Sequence, residues 1–191
     1  MASSVLEIEQ KYRTADLDGV RSRVLALGAR YVRTEQHADE YFAHPCRDLR
    51  STDEALRIRR RDGFRQLTYK GPRRERRTKI REEIECDLSL THEESLVQIL
   101  HHLGFRTIRV VAKTRQVFEW TADSFSVQLG LDTVPELGDF VELEILTDAQ
   151  NVPKAKTVLE SLALRLELHE LVEPSYLGML LAADAARQAL P

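Results

Sequence analysis

The sequence lacks the features that mark membrane and secreted proteins. Its 191 residues contain no run of about 18 apolar residues that could form a transmembrane helix. Cys46 and Cys86 are the only cysteines, which is too few for a disulfide framework. Residues 1–6 show neither the basic nor the apolar region of a signal peptide. These absences predict a protein of the reducing cytoplasm that does not bind membranes.

An excess of charge of one sign is also missing. The chain has 28 Lys and Arg against 31 Asp and Glu, a net charge of −3, although 31% of its residues are charged. A general nucleic-acid binder usually has a clear basic excess, which argues against that class. There is no glycine-rich Walker-type loop and no recognisable nucleophilic triad. The balanced charges therefore have to be explained by their spacing.

A repeat with an offset of 76 residues relates two parts of the chain. It carries Gly28 onto Gly104 and Phe42 onto Phe118. Each part reads as strand, helix, strand and hairpin, so a duplicated βαββ-like unit is the simplest account. No linker rich in Pro, Gly or Ser separates the two copies, which predicts one domain over residues 1–191. The predicted parts of this domain are the halves, about 1–76 and 77–152, and C-terminal helices over 153–191.

Capping residues and turn signals predict four helices. Asp16 or Thr14 can cap the first helix, and Thr91 with Glu94 forms a capping box for the second. Pro153 suits the first turn of the third helix, and the alanine-rich C-terminal segment predicts the fourth. Helices interspersed with strands indicate an α+β fold.

Charged side chains alternate with apolar ones along at least seven predicted strands. In the first strand, Glu7, Glu9 and Lys11 fall on one face, whereas Leu6 and Ile8 fall on the other. An ordinary antiparallel sheet with one solvated face alternates in the same way. Here the polar faces are almost exclusively charged and mix acids with bases within single strands. We therefore favour a closed sheet with helices outside and the charged faces turned inward.

The predicted interior contains seven bases and seven acids. The bases are Lys11, Arg57, Arg59, Lys70, Arg81, Lys113 and Arg115. The acids are Glu7, Glu9, Glu83, Glu85, Asp132, Glu142 and Glu144. Interior charges must be paired or must bind a metal or a ligand, so a highly charged ligand is expected. The bases suit a triphosphate, and the acids suit Mg²⁺ or Mn²⁺ at one ion or at two adjacent ions.

Nine short motifs follow one another along nearly the whole chain. They are Glu7-x-Glu9-x-Lys11, Asp39-Glu40-Tyr41-Phe42, Ala55 to Arg59, Lys70-Gly71-Pro72, Glu82 to Glu85, Lys113-Thr114-Arg115, Leu131-Asp132, Leu137 to Glu144 and Pro174-Ser175-Tyr176. This set resembles the CYTH superfamily, named for class IV adenylyl cyclases and thiamine triphosphatases, and is most similar to the adenylyl cyclase branch. The resemblance implies an eight-stranded antiparallel closed β-tunnel, the triphosphate tunnel, with helices packed outside.

The resemblance also implies roles for individual residues. The implied metal ligands are Glu7, Glu9, Glu142 and Glu144, with Asp132 as a second metal-associated or catalytic acid and either Glu83 or Glu85 at a further acidic position. The implied triphosphate-binding residues are Lys11, Arg57, Arg59, Lys70, Lys113 and Arg115, to which the strand alternation adds Arg81. Asp132, Lys113 and Arg115 are the candidate catalytic residues.

Three functional hypotheses follow, and the first is slightly preferred. The enzyme would cyclise ATP to cyclic AMP and pyrophosphate with two metal ions. Alternatively, it would hydrolyse inorganic triphosphate, a nucleoside triphosphate or thiamine triphosphate. Residues 57–81 contain twelve basic residues, so a non-catalytic polyphosphate or RNA binder is the third hypothesis. We prefer to interpret the part of this segment after Gly71-Pro72 as a solvated loop whose charges guide an anionic substrate inward. The family also suggests a homodimer.

Overall fold

One antiparallel sheet, closed on itself and flanked by helices, forms the body of the molecule. The computed structural model describes residues 5–73, 75, 78–89 and 92–189. The strands are β1 (Leu6–Thr14), β2 (Arg30–Ala43), β3 (Ala55–Arg61), β4 (Phe64–Lys70), β5 (Lys79–Arg81), β6 (Glu83–Leu88), β7 (Arg106–Ala122), β8 (Phe125–Val134), β9 (Gly138–Thr147) and β10 (Glu170–Leu171). The helices are α1 (Leu17–Ala26), α2 (Glu93–His102), α3 (Val152–Arg165) and α4 (Tyr176–Gln188).

The sheet closes because residues 79–88 pair with a different strand at each end. From β1 the order runs through β9, β8, β7, β2, β3 and β4 to β6. Glu82 interrupts the pairing, so that β6 stays on β4 while β5 pairs with β1. When β5 and β6 are counted as one interrupted strand and the two-residue β10 is set aside, the structure is the predicted eight-stranded tunnel.

The apolar face of the strands packs outward against the helices. Ile8, Leu129 and Leu143 are fully buried in one core with Val24 of α1 and Leu159 of α3. Burying an aliphatic side chain of this size contributes about 1.5–3 kcal/mol. Because successive strand residues point to opposite faces, this core turns the charged face of the same strands into the tunnel.

The predicted signals at the start of α1 and α3 and at the ends of α1 and α2 agree with the structure. The Asp16 carboxylate caps α1 by accepting a 2.8 Å bond from a backbone amide of the first turn. Gly28 and Gly104 follow α1 and α2 with φ of 88° and 87°, a conformation that glycine adopts without strain. Pro153 lies in the first turn of α3. The predicted cap Thr91 lies outside the described residues, but the structure places the N-cap of α2 at His92 without a side-chain capping bond, so the predicted capping box is wrong. None of the described helices is long and apolar enough to span a bilayer.

Candidate active site

The tunnel encloses a cavity of about 500 Å³ lined mainly by charged side chains. Of the described residues, twelve Lys and Arg and nine Asp and Glu line it, an excess of three positive charges. The strand register brings opposite charges together, since Lys11 of β1 lies directly across from Glu142 of β9. Such cross-strand neighbours have Cβ atoms about 4.5–5.5 Å apart. The wall is therefore complementary to a polyanion.

Thirteen of the fourteen inward charges predicted from the sequence line this cavity. The exception is Asp132, which lies behind the wall. The structure also separates the two acids of β6. Glu83 lies within the charged cluster, where Lys70 and Arg81 donate to it. Glu85 is exposed at the rim, 3.3 Å from the Gln66 amide.

Carboxylates crowd together where β1 meets β9. Glu9 lies directly across from Glu144, and burial together with the Glu9 charge raises the pKa of Glu144 to about 7. Burial also raises the pKa of Glu7 well above its usual value. The pKa of Glu9 is instead lowered, because Lys79 and Lys11 outweigh burial and a neighbouring carboxylate. Crowded carboxylate oxygens are the donors that a hard divalent cation takes.

These acids do not yet form a set of metal ligands. Among the described residues, no group of three His, Cys, Asp or Glu side chains converges in the manner of a metal site. Lys79 donates to Glu9, and the Lys70 Nζ lies 3.9 Å from a Glu7 oxygen. The donor chemistry fits Mg²⁺ or Mn²⁺, and an ion binding here would replace ammonium groups beside the carboxylates.

Asp132 anchors the cations of β7. It is completely buried and accepts hydrogen bonds from Lys113 Nζ at 2.9 Å, Arg115 Nε at 2.6 Å and the Tyr176 hydroxyl at 2.9 Å. Gly130 makes the approach of Arg115 possible, because a Cβ at Gly130 would lie 2.7 Å from the Arg115 Nε. The network fixes the two cations at the cavity wall, where Arg115 also donates to the Glu142 carboxylate.

Asp39 does the same for the cations of β3. It accepts from Arg57 Nη1 at 2.9 Å and from Arg59 Nε and Nη2 at 2.7 and 2.6 Å. Within the described part of the chain, three nearby polar atoms have no hydrogen-bond partner, namely His37 Nδ1, Arg57 Nε and Thr68 Oγ1. Their residues share the inward face, since Arg57 lies across from Thr68. An unpaired buried polar atom costs about 1–3 kcal/mol, and a hydrogen bond from water or a ligand would remove that cost.

Three residues of the site received no role from the sequence. Asp39 and Tyr176 belong to recognised motifs, but their partners are distant in sequence. Lys79 precedes Arg81 by two positions, so the same strand alternation could have identified it as an inward base. The Lys11 Nζ lies 2.6 Å from the Pro174 carbonyl oxygen and 4.2 Å from the Tyr176 ring centroid. The start of α4 therefore belongs to the tunnel wall.

The described bases that follow Pro72, which are Arg73, Lys79 and Arg81, turn toward the cavity. Arg73 donates to Asp53, with its Nη2 2.6 Å from Oδ1, and to the Glu173 carbonyl oxygen at 2.9 Å. Together with Lys79 and Arg81 it lines the tunnel. Arg74, Arg76 and Arg77 lie outside the described residues. Lys79 is buried and lies in β5 with Arg81, so these two bases belong to the tunnel wall and not to a solvated loop.

A closed antiparallel sheet whose interior gathers cations and carboxylates defines the triphosphate-tunnel class of folds. The sequence model of the CYTH domain matches residues 6–172, and the chain belongs to the CYTH family.

Individual relatives resemble nearly the whole chain. The chain is 33% identical over 180 residues to MJ0240 of Methanocaldococcus jannaschii, a protein provisionally named an adenylate cyclase. The match covers 92% of this chain and 98% of MJ0240. Adenylate cyclase CyaB of Aeromonas hydrophila is 29% identical over 167 residues, covering 85% and 81%. The solved structure of PH1819 from Pyrococcus horikoshii has a TM-score of 0.81 and 35% identity, covering 93% of this chain and 99% of its own.

Proposed function

We propose that this protein is a metal-dependent enzyme acting on triphosphates, and that its reaction is the cyclisation of ATP to cyclic AMP and pyrophosphate. The observation that carries the proposal is the tunnel itself, where an excess of three positive charges surrounds a group of crowded carboxylates. A polyphosphate chain with a divalent ion complements this distribution. The names of the two curated relatives support the cyclase as the particular reaction.

Two pairs of cations would hold the phosphate chain. Arg57 and Arg59 are oriented by their shared carboxylate, and Lys113 and Arg115 by theirs. Each carboxylate keeps its cations in place before the substrate arrives, so that little ordering is required on binding. A guanidinium group can donate two parallel hydrogen bonds to a phosphate, which orients the chain as well as attracting it.

The acidic side of the tunnel would bind the metal. Glu7, Glu9, Glu142 and Glu144 offer oxygen donors of the kind that Mg²⁺ and Mn²⁺ prefer. A bound ion would supply charge stabilisation for the oxygens that enter and leave the attacked phosphorus. Lys79 and Lys70, which lie beside Glu9 and Glu7, would then be available to contact the phosphates.

Hydrolysis of the triphosphate is the second candidate function. The same cations and acids would serve it, with water replacing the ribose 3′-hydroxyl as the nucleophile. Most of the cavity wall consists of Lys, Arg, Asp and Glu side chains. Such side chains can hold a phosphate chain and a metal ion without contacting a nucleoside, and this composition supports the hydrolase.

Product analysis separates the candidates. The purified protein would be incubated with ATP, inorganic triphosphate and thiamine triphosphate, each with Mg²⁺ or Mn²⁺. We expect cyclic AMP and pyrophosphate from ATP. Release of orthophosphate, above all from inorganic triphosphate, would instead identify a hydrolase. If no substrate were turned over under any condition, the enzyme proposal would be wrong and a binding role would replace it.

Arg59→Ala should mainly weaken triphosphate binding. A hydrogen bond to a charged group contributes about 1.5–3 kcal/mol, so the Kd for inorganic triphosphate should rise about 10- to 100-fold. Titration calorimetry measures this change. The matched control is Arg60→Ala on the same strand, because Arg60 points outward and pairs with Glu40 and Glu93. Equal affinities for the wild type and the Arg59 variant would remove this residue from the binding site.

A further inference from the structure

Strand β6 has one side along which no other strand runs. On its first side the whole of β6 pairs with β4. On its second side, the ladder between β5 and β1 reaches only as far as Arg81, which lies across from Glu7. Because β1 begins at Leu6, no strand of the described chain continues this ladder along β6. We call this second side of β6 the free edge.

The free edge is open to solvent from both faces of the sheet. Ile84, on the face that points away from the tunnel, is 58% exposed, and Cys86 on the same face is exposed as well. Glu85 and Asp87 are exposed on the opposite face. Such an edge offers backbone N–H and C=O groups to another strand. Lysine and proline, which commonly prevent this pairing, do not occur in β6.

The free edge is also strongly acidic. Residues 82–88 include four acids and no base. Glu85 and Asp87 accept hydrogen bonds from the neutral Gln66 amide at 3.3 and 3.1 Å, and neither forms an ion pair with another residue that the structure describes. Their charges are therefore available to a cationic partner.

This distribution of charge makes a second copy of the chain a poor partner. In an antiparallel pair of β6 strands centred on Cys86, Glu85 of one copy would lie across from Asp87 of the other. Like charges directly across from one another destabilise a strand pair, whereas opposite charges stabilise it. Strand alternation then sets the pattern of a suitable partner, with basic residues beside the two acids and apolar residues beside Ile84.

We propose that the free edge of β6 binds an extended segment of another protein in which basic and apolar residues alternate. The segment would add a strand to the sheet, with its backbone bonded to β6. Its basic side chains would pair with Glu85 and Asp87, and its apolar side chains would cover Ile84. The inference is independent of the reaction, because the phosphate-binding cations and the metal-binding acids of the proposed function take no part in it.

Hydrogen exchange with a synthetic peptide tests the proposal on the unmodified protein. The probe is a peptide of about seven residues that alternates lysine with valine. In the protein alone, the β6 amides that do not bond to β4 should exchange rapidly. With the peptide at about ten times its Kd, they should exchange about tenfold more slowly. The amides of β8, which is paired on both sides, should not change. A control peptide with prolines in place of valines should not bind, because proline cannot donate to the ladder.

Asp87→Lys tests the contribution of charge. Replacing attraction with repulsion at this position should raise the Kd for the lysine–valine peptide about tenfold, as measured by fluorescence anisotropy. Asp18→Lys is the matched control, because it makes the same change of charge at an exposed position in the first turn of α1. Helix α1 follows the opposite end of β1 from the one beside β6, so this variant should leave the Kd unchanged.

Four results would overturn the inference. Slow exchange at the free edge of the protein alone would show that another part of the chain or a second copy already covers it. Displacement of the peptide by inorganic triphosphate with Mg²⁺ would place the peptide inside the tunnel. Equal binding of the proline-containing peptide would exclude strand pairing, and an unchanged Kd in folded Asp87→Lys protein would exclude the charge contact. If the peptide binds as expected but inorganic triphosphate does not bind the protein, the proposed function fails and this inference stands.

Discussion

Replacing Glu9 with glutamine should abolish metal-dependent turnover while the protein stays folded. Glu9 is buried in the tunnel wall directly across from Glu144, where its charge is available to a divalent ion. Glutamine has the same shape and can still accept the hydrogen bond that Lys79 donates. It cannot supply the negative charge. Losing several kcal/mol of metal-ion stabilisation corresponds to a fall in kcat/KM of about a thousandfold or more.

Three measurements on the Glu9→Gln variant test this expectation. Circular dichroism and thermal unfolding establish that the fold is retained, and calorimetric titration with Mn²⁺ reports metal affinity. Steady-state kinetics with Mg²⁺ and with Mn²⁺ report turnover. Glu119→Gln is the matched control, since Glu119 pairs with Arg30 at the surface of β7 and should be replaceable without loss. Full activity of the Glu9 variant would show that Glu9 does not hold a metal ion that the reaction needs.

Strand alternation is the reason that so much of this site can be read from the sequence. A closed sheet assigns every second residue to the interior, so the parity of Glu9 also fixes the direction of Glu7 and Lys11. The same argument places Arg57 and Arg59 inside, and the structure agrees in each case. The caps and glycines at helix ends act locally, and they too are visible in short stretches of sequence.

Contacts between distant segments could not be predicted in this way. Strand alternation predicts that Asp132 points inward. It does not predict that Lys113, Arg115 and Tyr176 donate to Asp132, because these contacts depend on how β7, β8 and α4 pack together. The choice between Glu83 and Glu85 depends on where the tunnel ends along β6. A second cavity, between the start of α4 and the connection of residues 44–54, arises from the packing of an irregular segment, for which no periodic signal exists.

The tunnel charges also illustrate why buried ionic groups indicate function more than stability. Enclosing a charge costs several kcal/mol, and pairing with an opposite charge offsets this cost only partly. The hydrophobic core between the sheet and the helices supplies free energy of folding that offsets the cost of the charged interior. The cost is reduced when a metal ion and a polyanion bind, so ligands of this kind should raise the unfolding temperature as well as occupy the site.

Asp132→Asn should destabilise the protein and weaken triphosphate binding without changing metal affinity. The substitution leaves Lys113 and Arg115 buried with one carboxylate fewer, and breaking a buried ion pair in this way costs about 3–5 kcal/mol. Both Asp132 oxygens already accept hydrogen bonds from these cations and Tyr176, so we expect Asp132 to position the cations. Denaturant unfolding measures the loss of stability.

Metal titration distinguishes this positioning role from direct coordination. If Asp132 only orients Lys113 and Arg115, the Asn variant should keep the Mn²⁺ affinity of the wild type while its Kd for inorganic triphosphate rises about tenfold or more. Tyr176→Phe is the matched control, because it removes one donor to Asp132 without leaving a buried charge, and it should cost only about 0.5–1.5 kcal/mol of stability. A loss of Mn²⁺ affinity as large as that expected for Glu9→Gln would make Asp132 a metal ligand, because a residue that acts only through the cations should leave metal binding unchanged.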